Sequence, residues 1–118
     1  MDEYLSSNQI DRVPFQNVIR ANDARIEEVR ISRNTGYVTI SHGVPGNFDT
    51  INMELVTLLV GQNTVIQDRR GQNINLRDLR EGMVVDAVFS ANMTFSIPPQ
   101  ASVYRITVAE RRSRNRET

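Results

Sequence analysis

Apolar and polar residues alternate along several short segments of this chain, as they do in β-strands that turn one face to a core. Stretches rich in Gly, Asn, Asp and Pro separate the segments and are typical of turns. This pattern predicts strands at residues 24–32, 37–41, 51–60, 64–67, 83–89 and 101–108.

The alternation changes phase inside two of the predicted strands. One change falls at Glu27 and Glu28, and the other at Leu55 and Val56. A change of phase indicates an extra residue or a sharp bend in the strand. Bent strands turn the corners of small barrels, so both positions favour a barrel over a flat sheet.

Residues 63–89 form the unit around which we expect the rest of the sheet to be arranged. We interpret them as a strand, a tight polar turn at 68–71, one helical turn at 76–80 and a second strand. Asn75 can cap the helical turn, and Gly82 can end it in the left-handed conformation.

The last strand of that unit has two different faces. Asp86 lies on one face and would be costly to bury without a partner, so we expect the other face to point inward. The inward residues are then Met83, Val85, Ala87 and Phe89.

Together these features predict an all-β fold, a small, partly open OB-like β-barrel of five to six strands with one short helical turn. The 118 residues fit one domain, with the barrel at 24–108 and a disordered Arg-rich tail at 109–118. Residues 1–23 are expected to be an N-terminal arm. Both a short helix that begins at Pro14 and an extended segment laid over one barrel end fit them.

Two segments carry a resemblance to a known group of proteins. Residues 78–85 (Asp-Leu-Arg-Glu-Gly-Met-Val-Val) follow a threonine-led strand and turn at 64–71, and residues 93–100 (Met-Thr-Phe-Ser-Ile-Pro-Pro-Gln) precede the strand that ends at 106–108. Over residues 24–108 the chain resembles uncharacterised OB-like barrel domains of low-GC Gram-positive bacteria. The resemblance implies the fold and brings no functional residues with it.

Composition argues against an enzyme and against a metal or cofactor site. The chain has no cysteine and a single histidine, His42, which cannot by itself form a zinc site or a catalytic triad. Glu27 and Glu28 are neighbours on a strand and therefore point to opposite faces. No Gly-rich phosphate loop is present. We therefore expect a non-catalytic protein that needs no cofactor.

No apolar run approaches the roughly 20 residues that span a bilayer, and the first residues lack the pattern of a signal peptide. These features predict a cytoplasmic protein. A chain trimmed of an export signal would show the same pattern.

Apolar residues in two predicted loops are candidates for a protein interface, either with another protein or with a second copy. The alternative is that they fold back and plug the barrel ends. A third interpretation is an edge strand at 93–97 that pairs with another chain. The candidate residues are Met93, Phe95, Ile97, Pro98, Pro99 and Phe48.

Weak binding of single-stranded nucleic acid is the alternative function, because OB-type barrels often use aromatic platforms and basic grooves. The candidate residues are Tyr37, Arg33, Arg69 and Arg70. Fourteen acidic residues balance fourteen arginines, so no net positive charge would attract a nucleic acid. The sequence therefore favours a binding or assembly module for protein.

Overall fold

A computed structural model describes residues 17–109 as one six-stranded sheet and a single 3₁₀ turn. The predicted arm at residues 1–16 and the tail at 110–118 lie outside the described residues. The strands are β1 (Val18–Ser32), β2 (Thr35–Pro45), β3 (Ile51–Val60), β4 (Val65–Gln67), β5 (Val84–Ser90) and β6 (Gln100–Val108), with the 3₁₀ turn at Leu76–Asp78.

Five of the strands close into a barrel. The antiparallel neighbours follow the order β3-β2-β1-β5-β6, and β3 then pairs with β6 in parallel through three residue pairs, Thr57 to Leu59 with Gln100 to Ser102. The short strand β4 pairs with the later part of β6, beside the point where β3 ends. The prediction of a small all-β barrel is therefore confirmed, and the parallel pair closes the sheet.

Strand β1 is long because it serves two partners. Its first half pairs with β5 and its second half with β2, and Arg25 is in register with both. The backbone of Ile26 sits at the change of partner: its N–H donates to the carbonyl of Met83, and its carbonyl accepts the N–H of Gly82. This residue joins the two halves of the barrel.

Two bulges let β1 bend without losing its inward face. One extra residue lies between Ala21 and Ala24 against β5, and a second lies between Ile26 and Glu28 against β2. The predicted irregularity at Glu27 and Glu28 is thus confirmed. Because the first bulge restores the phase, Ala21 is buried together with Ala24 and Ile26.

The interior is built from branched aliphatic residues around one aromatic ring. Phe89, Ile26, Ile40, Leu58 and Ile106 are fully buried. Val85 and Ala87 are also buried, so the predicted inward face of β5 is confirmed. A third bulge, between the β6 partners of Val88 and Phe89, turns Val103 inward and leaves Tyr104 exposed.

Two predicted element boundaries were wrong, and one expected extra residue is absent. Strand β1 begins at Val18, so residues 18–23 belong to the barrel and not to the arm. Residues 42–45, predicted to be a loop, extend β2, because they pair with the first residues of β3 even though Pro45 is among them. The β2–β3 register also runs without a shift past Leu55 and Val56. The apolar phase changes there because the hairpin leaves the barrel.

The carboxylate of Asp86 stabilises the first bulge. Its Oδ1 accepts the N–H of Asp23 at 2.9 Å, and Asp23 has a left-handed φ of 58°. We expect Asp86→Ala to lower the free energy of unfolding by about 1 kcal/mol, because that N–H loses its acceptor at a strained residue. Urea denaturation measures the change.

Glu54→Ala is the matched control, since Glu54 is an exposed strand carboxylate without a hydrogen bond in the described chain. It should leave the urea midpoint unchanged. Equal midpoints for the two variants would contradict this role of Asp86.

Candidate protein-interaction surface

One end of the barrel brings together the start of β3, the start of β6 and the β2–β3 turn. Strands β3 and β6 run in parallel with Thr57 opposite Gln100, so the residues that precede both lie at the same end. The N–H of Thr57 donates to the carbonyl of Pro99 at 2.9 Å and holds the two segments together. The parallel pairing thus places sequence-distant residues on the same end surface of the barrel.

This surface, which we call the apolar end, is formed by large side chains in contact with solvent. Phe95 and Ile97 are 103% and 97% exposed, and Phe48 is 94% exposed. Further exposed side chains come from the first half of β3. The apolar end comprises Phe48, Ile51, Met53, Leu55, Phe95 and Ile97.

The loop that carries Phe95 and Ile97 is held by its own polar groups. The Thr94 hydroxyl accepts the N–H of Gln100 at 3.0 Å and lies 2.6 Å from the Ser96 hydroxyl, while the Thr94 N–H donates to the Gln100 carbonyl. The Ser96 hydroxyl in turn donates to the Pro98 carbonyl. The polar groups therefore face each other inside the loop, and the apolar side chains are left on the outside.

The β2–β3 turn displays Phe48 in the same way. The Gly46 N–H donates a hydrogen bond to the Thr50 carbonyl. The Thr50 N–H and hydroxyl both donate to the Asn47 carbonyl. Phe48 has a φ of 56°, a left-handed conformation that a bulky side chain rarely adopts. Burial of the ring does not offset this strain, and an outlier of this kind favours a functional role.

The exposed part of β3 continues the apolar end along the outer face of the sheet. Residues 51–54 pair only with β2, in a two-stranded ribbon beyond the point where β1 stops pairing. Gly43 on β2 leaves space that Ile51 covers, since a Cβ there would lie 2.9 Å from Ile51 Cγ2. The sequence analysis missed Ile51, Met53 and Leu55. The change of apolar phase after Leu55 could have indicated them. It places apolar residues on one face of β3 before that point and on the other face after it.

The candidate interface residues from the sequence fall into two groups. Phe48, Phe95 and Ile97 face solvent, so the alternative in which they plug a barrel end is wrong for these three. Met93 is half-buried against the core and does fold back. Pro98 and Pro99 are half-buried and connect the loop to β6.

The nucleic-acid candidates are not gathered in one place by any contact in the described chain. The ring of Tyr37 is half-buried, and the Arg30 guanidinium covers one face at 4.2 Å from the ring centroid. Arg69 and Arg70 lie in the exposed turn after β4, where Asp68 accepts the N–H of Arg70 at 2.9 Å. Arg33 lies at the tip of the β1–β2 hairpin.

Residues 17–109 contain no cluster of three or more metal-ligating side chains. His42, predicted to lie in a loop, is instead buried on β2 with its ring edge-on to Phe89, 5.9 Å between centroids. Glu27 accepts a hydrogen bond from the Ser41 hydroxyl at 2.7 Å and lies 3.7 Å from Arg25. These side chains are used in packing and surface pairing.

The only helical segment found in residues 17–109 is the 3₁₀ turn, and no helix there has the length or the apolar character to cross a bilayer.

Comparisons with known proteins give no match to a family model, to a curated protein or to a solved structure. The resemblance to bacterial barrel domains therefore stays a prediction, and function has to be argued from the surface itself.

Two phenylalanines test whether the apolar end contributes to folding. Phe89 is fully buried and Phe95 is fully exposed. We expect Phe89→Ala to lower the free energy of unfolding by about 3–5 kcal/mol, and Phe95→Ala to change it by less than about 0.5 kcal/mol. Chemical denaturation of both variants checks this. A loss of more than about 2 kcal/mol for Phe95→Ala would show that its ring packs against the fold.

Proposed function

We propose that the chain is a non-catalytic OB-type barrel that binds protein through its apolar end. The strand order, with a parallel pair between the third and the last barrel strand, supports assignment to the small Greek-key barrels of this type. The observation that carries the binding role is the near-complete exposure of Phe48, Phe95 and Ile97 on well-bonded turns.

Energetics support an interface at this place. Transfer of a side chain of the size of Phe or Ile from water to an apolar environment is favourable by about 1.5–3 kcal/mol. Folding does not bury these side chains, so a partner that covers them would gain this free energy. Several large apolar side chains exposed at one end of a barrel indicate an interaction site. Because the loop is held by the hydrogen bonds of Thr94 and Ser96, little ordering entropy would be lost on binding.

Charge near the apolar end favours protein over nucleic acid. Asp49 is exposed next to Phe48 in the turn, and Glu54 is exposed on β3, where alternation places it on the face opposite to Met53 and Leu55. Neither residues 43–55 nor residues 91–99 contain an arginine or a lysine. A phosphate backbone would therefore find no cationic partner in these segments. An apolar protein surface needs no such partner.

A second copy of the chain is the first partner to test. We expect wild type to self-associate as its concentration rises. Replacing both Phe95 and Ile97 by Asp should weaken this association about 30-fold or more, because two central anchors are lost. Sedimentation velocity over a concentration series measures the change, and circular dichroism shows whether the fold is kept.

Ile31→Asp is the matched control, because Ile31 is 48% exposed near the opposite end of the barrel. It should leave the association of wild type unchanged. The proposal fails if wild type stays monomeric and also binds no more of an apolar fluorescent dye than the Phe95/Ile97 double variant.

The nucleic-acid alternative has less support, because no described contact unites Tyr37, Arg69 and Arg70, and Arg30 covers one face of the Tyr37 ring.

A further inference from the structure

The end of the barrel opposite the apolar end contains a groove of about 680 Å³. One wall is the β1–β2 hairpin with Arg33, and the other is formed by residues 61–66 and 73–77, which include Arg77. Ile31 and Val65 are 48% and 37% exposed and line the groove, so it has an apolar surface as well as polar walls.

The charge of the groove has one sign. Arg33 and Arg77 line it, and no aspartate or glutamate does. Within residues 17–109 neither guanidinium has a carboxylate partner. The remaining polar lining comes from hydroxyls and carboxamides, among them Asn73 and Asn75. Two unpaired guanidiniums beside carboxamide donors are complementary to an anionic group.

Short contacts fix the walls of the groove. Gly36 allows Leu76 to approach the hairpin, because a Cβ at Gly36 would overlap the Leu76 side chain. The Thr64 hydroxyl donates to the Val103 carbonyl at 2.8 Å and holds residues 61–64 against β6. Asp78 accepts the N–H of Asn75 at 3.0 Å and fixes the opposite wall. The site is therefore formed before any ligand arrives.

Arg33 is presented to the groove by the tight turn of the β1–β2 hairpin. Its φ of 56° is the left-handed conformation that the first position of such a two-residue turn requires. The turn thus fixes the backbone of Arg33 at the edge of the groove.

We propose that this groove binds a small organic anion, in which a phosphate or carboxylate group contacts Arg33 and Arg77 and an apolar body lies against Ile31 and Val65. Phosphate and carboxylate both present two neighbouring oxygens, and a guanidinium binds such a pair through two parallel hydrogen bonds. The apolar lining requires a ligand that is more than a free inorganic ion. The site is independent of the proposed protein interface.

Phenyl phosphate and benzoate are suitable probes, with benzyl alcohol as the uncharged counterpart and inorganic phosphate as the anion without an apolar body. In ¹⁵N–¹H spectra of the full chain, the two anionic aromatic probes should shift amide signals within 33–36 and 73–77. Benzyl alcohol and inorganic phosphate should each bind about tenfold or more weakly than the better anionic probe. The stronger of phenyl phosphate and benzoate identifies the anionic group.

Arg33→Gln combined with Arg77→Gln should weaken binding of the better probe about tenfold or more, because two charge-assisted hydrogen-bond donors are lost. Arg69→Gln combined with Arg70→Gln removes the same charge from a turn outside the groove and should leave affinity unchanged. Phe95→Asp should also leave it unchanged.

Three results would overturn the proposal. One is the absence of shifts with either anionic probe at about 10 mM. Another is equal weakening by the two arginine double variants. The third is binding of benzyl alcohol as tight as that of the anions. Each would leave the interface at the apolar end unaffected.

Discussion

The barrel depends on the pairing of strand β1 with two different strands, β5 along its first half and β2 along its second half. Backbone hydrogen bonds at the change of partner hold this arrangement. Ile26 is in register with β2 and exchanges hydrogen bonds with Gly82 and Met83, which lead into β5. One bulge on each side of it lets the strand coil while its inward residues stay inward. The left-handed φ of 90° at Gly82 allows the chain to meet β1 there without strain.

The way the strands end leaves the two ends of the barrel with different surfaces. At one end, the β2–β3 ribbon and the loop before β6 extend past the barrel, and the core ends before them. The apolar side chains in these segments therefore face water. At the other end, the β1–β2 hairpin and the segment around the 3₁₀ turn stand apart, and a groove with two arginines lies between them. Both surfaces belong to one barrel, and the groove shares Ile74 and Leu76 with the packing around the core.

Alternation and turn residues were sufficient to predict the class of fold, the inward face of β5 and the bulge near Glu27. They failed where pairing over long sequence distances decides the outcome. The strand in residues 42–45 exists because β3 pairs with it, and local signals from Gly43 and Pro45 argue against it. The N-terminal part of β1 exists because β5 lies beside it.

The candidate surfaces were predictable only in part. Phe48, Phe95 and Ile97 could be singled out because large apolar residues in loops are unusual. Hydrogen bonds of Thr94 and Ser96 decide which way Phe95 and Ile97 turn, and those of Thr50 hold the turn of Phe48. Spacing in the sequence does not reveal these bonds. The groove escaped sequence reasoning altogether, because Arg33 and Arg77 are far apart in the chain and line one groove only in the folded chain, where Leu76 approaches Gly36.

Amide hydrogen exchange followed by NMR tests most directly whether Ile26 joins the two halves of the barrel. The account predicts that the amides of Ile26 and Gly82 exchange only when the whole domain unfolds, with the same free energy as the core strands and far more slowly than the amide of Phe95. Exchange of Ile26 or Gly82 as fast as that of Phe95 would contradict it.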